Sequence, residues 1–110
     1  MDIDEYQKST EETAVYPQEL PDCVGTELLY VTLGLSGEVG EVSEKVKKAV
    51  REDDLAYLDD LEKELGDVFW YLVRVCEELY LDASDVCEKN RDKLLDRRER
   101  DVLTGEGDDR

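Results

Sequence analysis

No histidine occurs anywhere in the 110 residues. That absence removes His-based triads, His general bases and His metal ligands in one stroke. Cysteine is scarce and odd in number: Cys23, Cys76 and Cys87 contain no C-x-x-C pair. A disulfide scaffold or a zinc knuckle is therefore disfavoured, and a reducing, cytoplasmic setting is expected. No apolar run approaches the ~20 residues that span a bilayer, and Met1-Asp2-Ile3-Asp4-Glu5 is too acidic to resemble a secretory leader. Positive charge is in short supply, with 14 Lys and Arg against 31 Asp and Glu, a formal net charge of −17. A surface of that sign cannot replace the counterions of a phosphate backbone, which excludes nucleic acid as a partner. It equally disfavours docking on an anionic membrane.

What is present is ordered. Forty per cent of the residues are hydrophobic, and their periodic placement sets the chain apart from acidic disordered sequences. Self-repulsion on this scale suits an environment where salt screens it, so the surface reads as that of a halophilic, salt-adapted protein. Both prolines, Pro17 and Pro21, fall just before Gly25, predicting a loop from about Tyr16 to Gly25 after a short N-terminal helix. Leu28, Thr32, Leu35, Val39, Val42, Val46 and Ala49 then step by fours and threes, one stripe of an amphipathic helix. A second stripe runs Leu58, Leu61, Leu65, Val68, Leu72, Cys76 and Leu79, with Asp53 or Asp54 as its cap. Asp82 is the expected cap of a last helix carrying Ala83, Val86, Cys87, Leu94 and Leu95 to about Arg98.

The expected architecture is all-α: an antiparallel helical bundle of about four helices in one domain spanning 1–110. Residues 1–25 form an N-terminal helix and loop, 26–98 the helical core, and 99–110 an irregular tail. Trp70 projects away from the Leu65/Leu72 stripe, which suits either a subunit contact or packing under the N-terminal segment of its own chain, and a chain this short buries only part of its apolar surface alone. A homodimer or homotetramer that completes the bundle is expected.

The informative residues are carboxylates. Gly37-Glu38-Val39-Gly40-Glu41 lies mid-helix, where each glycine costs about 1 kcal/mol relative to alanine; with Gly34 before them, they predict close approach by another helix or a ligand. Glu38 and Glu41 occupy successive turns of one flank, with Lys45 between them in angle. Glu64 and Asp67 repeat the pattern on the next helix, and Tyr71 shares their sector. If the two helices turn near Asp53, Glu41 lies 12 residues before the turn and Glu64 11 after it; Glu38 lies 15 before and Asp67 14 after. Four carboxylates at matching levels repel unless protons or cations neutralise them. An all-oxygen donor set selects Mg²⁺, or Mn²⁺, over zinc. Asn90 falls on the predicted inward stripe of the last helix, between Cys87 and Leu94, where an amide is costly unless hydrogen-bonded.

Leu35-Ser36-Gly37-Glu38-Val39-Gly40-Glu41-Val42 and Glu64-Leu65-Gly66-Asp67-Val68-Phe69-Trp70-Tyr71-Leu72 resemble the paired E-x-x-E and E-x-x-D motifs of the MazG-like, all-α nucleoside triphosphate pyrophosphohydrolases. The likeness continues through Asn90-Arg91-Asp92-Lys93-Leu94 and runs from about Leu28 to the C-terminus. It implies a hydrolase of nucleotide metabolism that cleaves an NTP or dNTP between the α and β phosphates, releasing the monophosphate and pyrophosphate. Glu38, Glu41, Glu64 and Asp67 would hold Mg²⁺, with Glu38 or Glu41 taking the proton of the attacking water. Asn90, Lys93 and Arg97 would face substrate. Lys45, Lys48 and Tyr71 are further candidates for substrate contact, though a flank lysine equally suits a solvated ion pair. Tyr16 and Tyr30 are candidates for reading the base. Gly105, Gly107 and Arg110 are open to a phosphate role, but Asp101 stands where similar proteins carry a glycine, and a frayed tail is the simpler expectation. Related enzymes specific for dUTP, dCTP or phosphoribosyl-ATP carry similar sites. A non-enzymatic acidic helical interaction module would explain the charge but not the glycines. A di-iron or di-manganese carboxylate oxidase would need histidine.

Overall fold

A computed structural model of the chain describes residues 1–17 and 25–110. Most of the predicted loop, including Pro21 and Cys23, lies outside the described residues. Four α-helices follow in order, α1 (Ile3–Ser9), α2 (Thr26–Glu52), α3 (Leu61–Glu78) and α4 (Ala83–Glu99), and no strand occurs among the described residues. No helix among them is long and apolar enough to cross a membrane.

Local chemistry sets the helix ends. Asp2 and Glu5 form a reciprocal capping box at the start of α1: the Glu5 amide donates to Asp2 (2.8 Å) and the Asp2 amide to Glu5 (2.9 Å). A 3-10 helix, Thr10–Thr13, prolongs α1. At the far end of α2, Asp53 adopts a left-handed conformation (φ 49°). The second stripe does not become one helix from Leu58 as expected. The Asp54 carboxylate accepts from the Ala56 amide at 2.9 Å, and that local bond starts a 3-10 helix, Leu55–Leu58, so α3 begins only at Leu61.

Helices α3 and α4 end in the same way. The Leu81 amide reaches back to the Cys76 carbonyl and the Tyr80 amide to Glu77, around Tyr80 at φ 57°. The Val102 and Asp101 amides repeat this on Arg97 and Arg98, around Asp101 at φ 57°. Both are Schellman turns. The second accounts for the glycine expected at position 101, because the backbone there is left-handed and glycine adopts that conformation without strain.

Helices α2 and α3 form an antiparallel hairpin in which Gly34 meets Tyr71, Glu38 lies by Asp67 and Lys45 by Glu64. Helix α1 lies across α3 and α4 and supplies the cap expected from Asp82. Asp82 makes no capping bond. Instead the Ala83 amide donates to Gln7 (2.7 Å) and the Ser84 amide to Asp4 (3.1 Å). The buried Gln7 also donates to Glu77 and to the Leu81 carbonyl, each at 2.9 Å. The core is small: Val73, Cys76 and Ala83, with Ile3 and Tyr6 packed against them. Much of the three predicted stripes stays in the open, with Val39, Val46, Leu65, Leu72, Leu79, Val86, Leu94 and Leu95 each 40–47% exposed.

Candidate metal centre and nucleotide site

The hairpin brings Glu38, Glu64 and Asp67 together, with one carboxylate oxygen from each lying within 4.8 Å of the others. Each is fixed to a long helix rather than a loop, which suits a site that needs defined geometry. Burial holds the Glu38 carboxyl above its ordinary range, and the negative charges of Asp67, Glu41 and Glu64 add to that. Glu64 is half-buried and paired with Lys45 at 2.8 Å; that bond in turn raises the affinity of Lys45 for its proton. Glu41, the fourth predicted ligand, is exposed and lies one turn along α2, outside this trio but close enough to act on Glu38 and Lys45 through charge.

A cavity of about 420 Å³ opens beside the acidic trio, lined by Thr13, Glu38, Asp67, Trp70 and Tyr71. Thr13, Trp70 and Tyr71 also line a second recess of about 180 Å³, completed by Val15, Tyr16 and Tyr30. Its rings are in contact: Tyr16 stacks on Tyr30 with centroids 5.6 Å apart, and Trp70 lies nearly perpendicular to Tyr16 at 6.3 Å and to Tyr71 at 5.0 Å. Trp70 takes the second of its two expected places, packed under the N-terminal segment of its own chain. Its indole nitrogen donates to the Thr13 hydroxyl at 2.8 Å, because the N-terminal segment folds back over α3.

The glycines divide. A methyl group on Gly34 would lie 2.1 Å from a Tyr71 ring carbon, so this glycine is what seats Tyr71 against α2. Gly37, Gly40 and Gly66 meet nothing within 4 Å among the described residues; the close approach expected of Gly37 and Gly40 is not made by any of them.

Residues 26–102 match the MazG nucleotide pyrophosphohydrolase domain. The chain belongs to the MazG family. It is also 44% identical, over the full length of both proteins, to the gene 37 protein of Mycobacterium phage L5. No solved structure matches it. Within this MazG chain the acidic trio and the aromatic recess are adjacent, but the predicted substrate residues of α4 are not part of them. Asn90 is exposed, contrary to the expected inward position, because none of the described residues covers it. With Lys93 it lines a separate groove of about 380 Å³, together with Leu81, Asp85, Val86 and Lys89. Arg97 is buried and Lys93 half-buried, and both are held by the tail: Asp108 accepts from Lys93 at 2.9 Å and from Arg97 at 3.1 Å. Arg110 donates to the Val102, Leu103 and Gly107 carbonyls, so the tail is irregular but pinned rather than frayed. Lys48 faces Glu44 at 3.8 Å, a surface ion pair.

Thr13, Arg74 and Glu78 were not anticipated from the sequence. The signal was there in part: Trp70, Arg74 and Glu78 recur every four residues, which aligns an aromatic, a cation and an anion on one helix face.

Proposed function

We propose that this MazG protein is a Mg²⁺-dependent pyrophosphohydrolase that cleaves an NTP or dNTP between the α and β phosphates, yielding the monophosphate and pyrophosphate. The observation that carries the reading is the convergence of three carboxylates from two rigid helices beside an aromatic recess. The donor set fits a hard divalent cation, since it is all oxygen and its charges repel one another when left unbalanced. Glu38, Glu64 and Asp67 would hold it, with Glu41 joining from the adjacent turn. When bound, Mg²⁺ or Mn²⁺ supplies positive charge against the phosphate oxygens. The chain's own side chains do the rest. Glu38, whose proton affinity is already raised, or Glu41 accepts the proton of the attacking water. Lys45, released from Glu64, turns to a phosphate oxygen. Tyr71, Trp70, Tyr16 and Tyr30 receive the base by stacking.

A second copy of the chain completes the bundle and covers the half-exposed stripes, as a homodimer or a dimer of dimers. That assembly brings Asn90, Lys93 and Arg97 of α4 towards a phosphate chain, with Lys48 as a further contact.

The test is product identification. The protein is incubated with each NTP and dNTP, with Mg²⁺ or Mn²⁺, in concentrated KCl. Monophosphate plus pyrophosphate is expected. Diphosphate plus orthophosphate contradicts the assigned bond, and no turnover with any nucleotide, metal or salt favours an acidic helical binding module.

A further inference from the structure

Arg74 is the most deeply placed cation of the aromatic region. It is 6% exposed, and a guanidinium that far from water is tolerated only where its donors are matched. They are matched almost entirely by the N-terminal segment. Nη1 donates to the Thr10 hydroxyl at 3.2 Å, while Nε and Nη2 donate to the Tyr16 hydroxyl at 3.3 and 3.0 Å. The Tyr16 hydroxyl passes its own proton into a short hydrogen bond to Glu78, and Glu78 lies 3.8 Å from Arg74, one turn along α3. The Tyr16 phenol is thus gripped at its oxygen from two sides. Burial and the bond to Glu78 hold its proton more tightly than usual. A surface tyrosine needs none of this. Its ring is left as a wall of the 180 Å³ recess, perpendicular to Trp70 and stacked on Tyr30.

We propose that Arg74 and Glu78 are positioning residues that fix Tyr16 as the wall of the nucleobase subsite, so that they govern base binding without touching the nucleotide. The inference rests on the nucleotide reading above. It separates the roles of two groups of residues: the acidic trio answers for the phosphates, the Arg74–Tyr16–Glu78 clamp for the base. Tyr16→Phe keeps the ring and removes only the gripped oxygen, and Arg74→Lys keeps the charge but cannot hold the phenol from two nitrogens. Truncation of Arg74 risks the fold, because it strands Glu78, and is not needed.

Trp70 is the single tryptophan of the chain, so its fluorescence reports on the recess directly. The whole protein is titrated with the α,β-methylene analogues of ATP, GTP, CTP and UTP in Mg²⁺, and separately with tripolyphosphate, which has phosphates but no base. In Tyr16→Phe the analogue bound most tightly by the parent should weaken about tenfold, the order of one lost stacking contact. Tripolyphosphate should bind unchanged. Arg74→Lys should fall between the two, and in turnover both variants should raise KM with kcat within about twofold. Equal weakening of analogue and tripolyphosphate, or none of either, overturns the clamp, since a purely structural role affects both ligands alike. If the parent binds the analogues and Tyr16→Phe weakens them but neither hydrolyses a nucleotide, the clamp stands and the enzymatic reading falls. If no analogue binds the parent, the clamp is refuted with it.

Discussion

Glu38 carries the site's electrostatic tension in one side chain. Its proton affinity in the folded protein is raised, first by burial and then by Asp67, Glu41 and Glu64. Above its ordinary value of 4.5 the folded state therefore holds more proton than the unfolded chain. Stability falls as pH rises through that window and stays reduced at neutral pH. Asp4, Glu44, Glu52 and Asp108 have lowered affinities and act in the opposite sense, losing their contribution as pH falls. Comparing wild type with Glu38→Gln isolates the Glu38 term. Without divalent ion, the variant should be the more stable at pH 7 by urea unfolding, with the difference closing towards pH 4. Divalent ion should reverse the order: Mn²⁺ at a hundred times its Kd stabilises wild type by about 2.7 kcal/mol and leaves Glu38→Gln where it was. Gly34 offers a steric counterpart. Gly34→Ala sets a methyl against Tyr71 and should cost about 1–3 kcal/mol of stability through overpacking. Gly66→Ala, with open space around it, should gain up to about 1 kcal/mol of helix propensity. Thermal melts of the two variants decide this.

At the scale of elements, α1 acts as a brace. It contributes few apolar residues, but Gln7 joins it to α3 and α4 and supplies the cap that Asp82 leaves unmade. Gln7→Ala strands the buried Ala83 amide and should cost about 1–3 kcal/mol; hydrogen exchange should show the first turn of α4 opening before the α2–α3 hairpin. The hairpin itself was legible in the sequence. Leu28 to Ala49 and Leu61 to Leu79 follow a 3.6-residue period, and counting from Asp53 placed Glu38 level with Asp67. What the period could not convey was where α1 and the segment after it would lie. Trp70 projects away from its own helix's stripe, which left a subunit contact and cover by the N-terminal segment both open; the bonds of Thr13 to Trp70 and of Thr10 and Tyr16 to Arg74, with the Tyr16–Trp70 ring contact, put the N-terminal segment over it. Those contacts join residues more than fifty apart, and no local pattern encodes them. The misplacement of Asn90 has another origin: the spacing of α4 implies an inward stripe, but the described residues leave Asn90 uncovered.

The whole molecule is extended for its length. Its radius of gyration is 17.2 Å, against about 13 Å for a compact domain of this size. The extended shape goes with apolar stripes on α2, α3 and α4 that stay open. Light scattering should return a mass of two or four chains, and dilution to the monomer should lower the melting temperature. The net charge of −17 adds a salt dependence, because 31 carboxylates repel across any interface they flank until counterions screen them. Raising KCl from 0.1 to 2 M should increase both the fraction assembled and the melting temperature; an unchanged response contradicts the salt-adapted reading of the surface. These predictions all bear on one centre, the carboxylates of two neighbouring helices that are proposed to hold a divalent ion.

Anomalous diffraction from crystals grown with Mn²⁺ addresses that centre directly. A manganese peak is expected among the Glu38, Glu64 and Asp67 oxygens, lost in Glu64→Gln and Asp67→Asn. Crystals that bind manganese elsewhere, or show no peak between α2 and α3, contradict it.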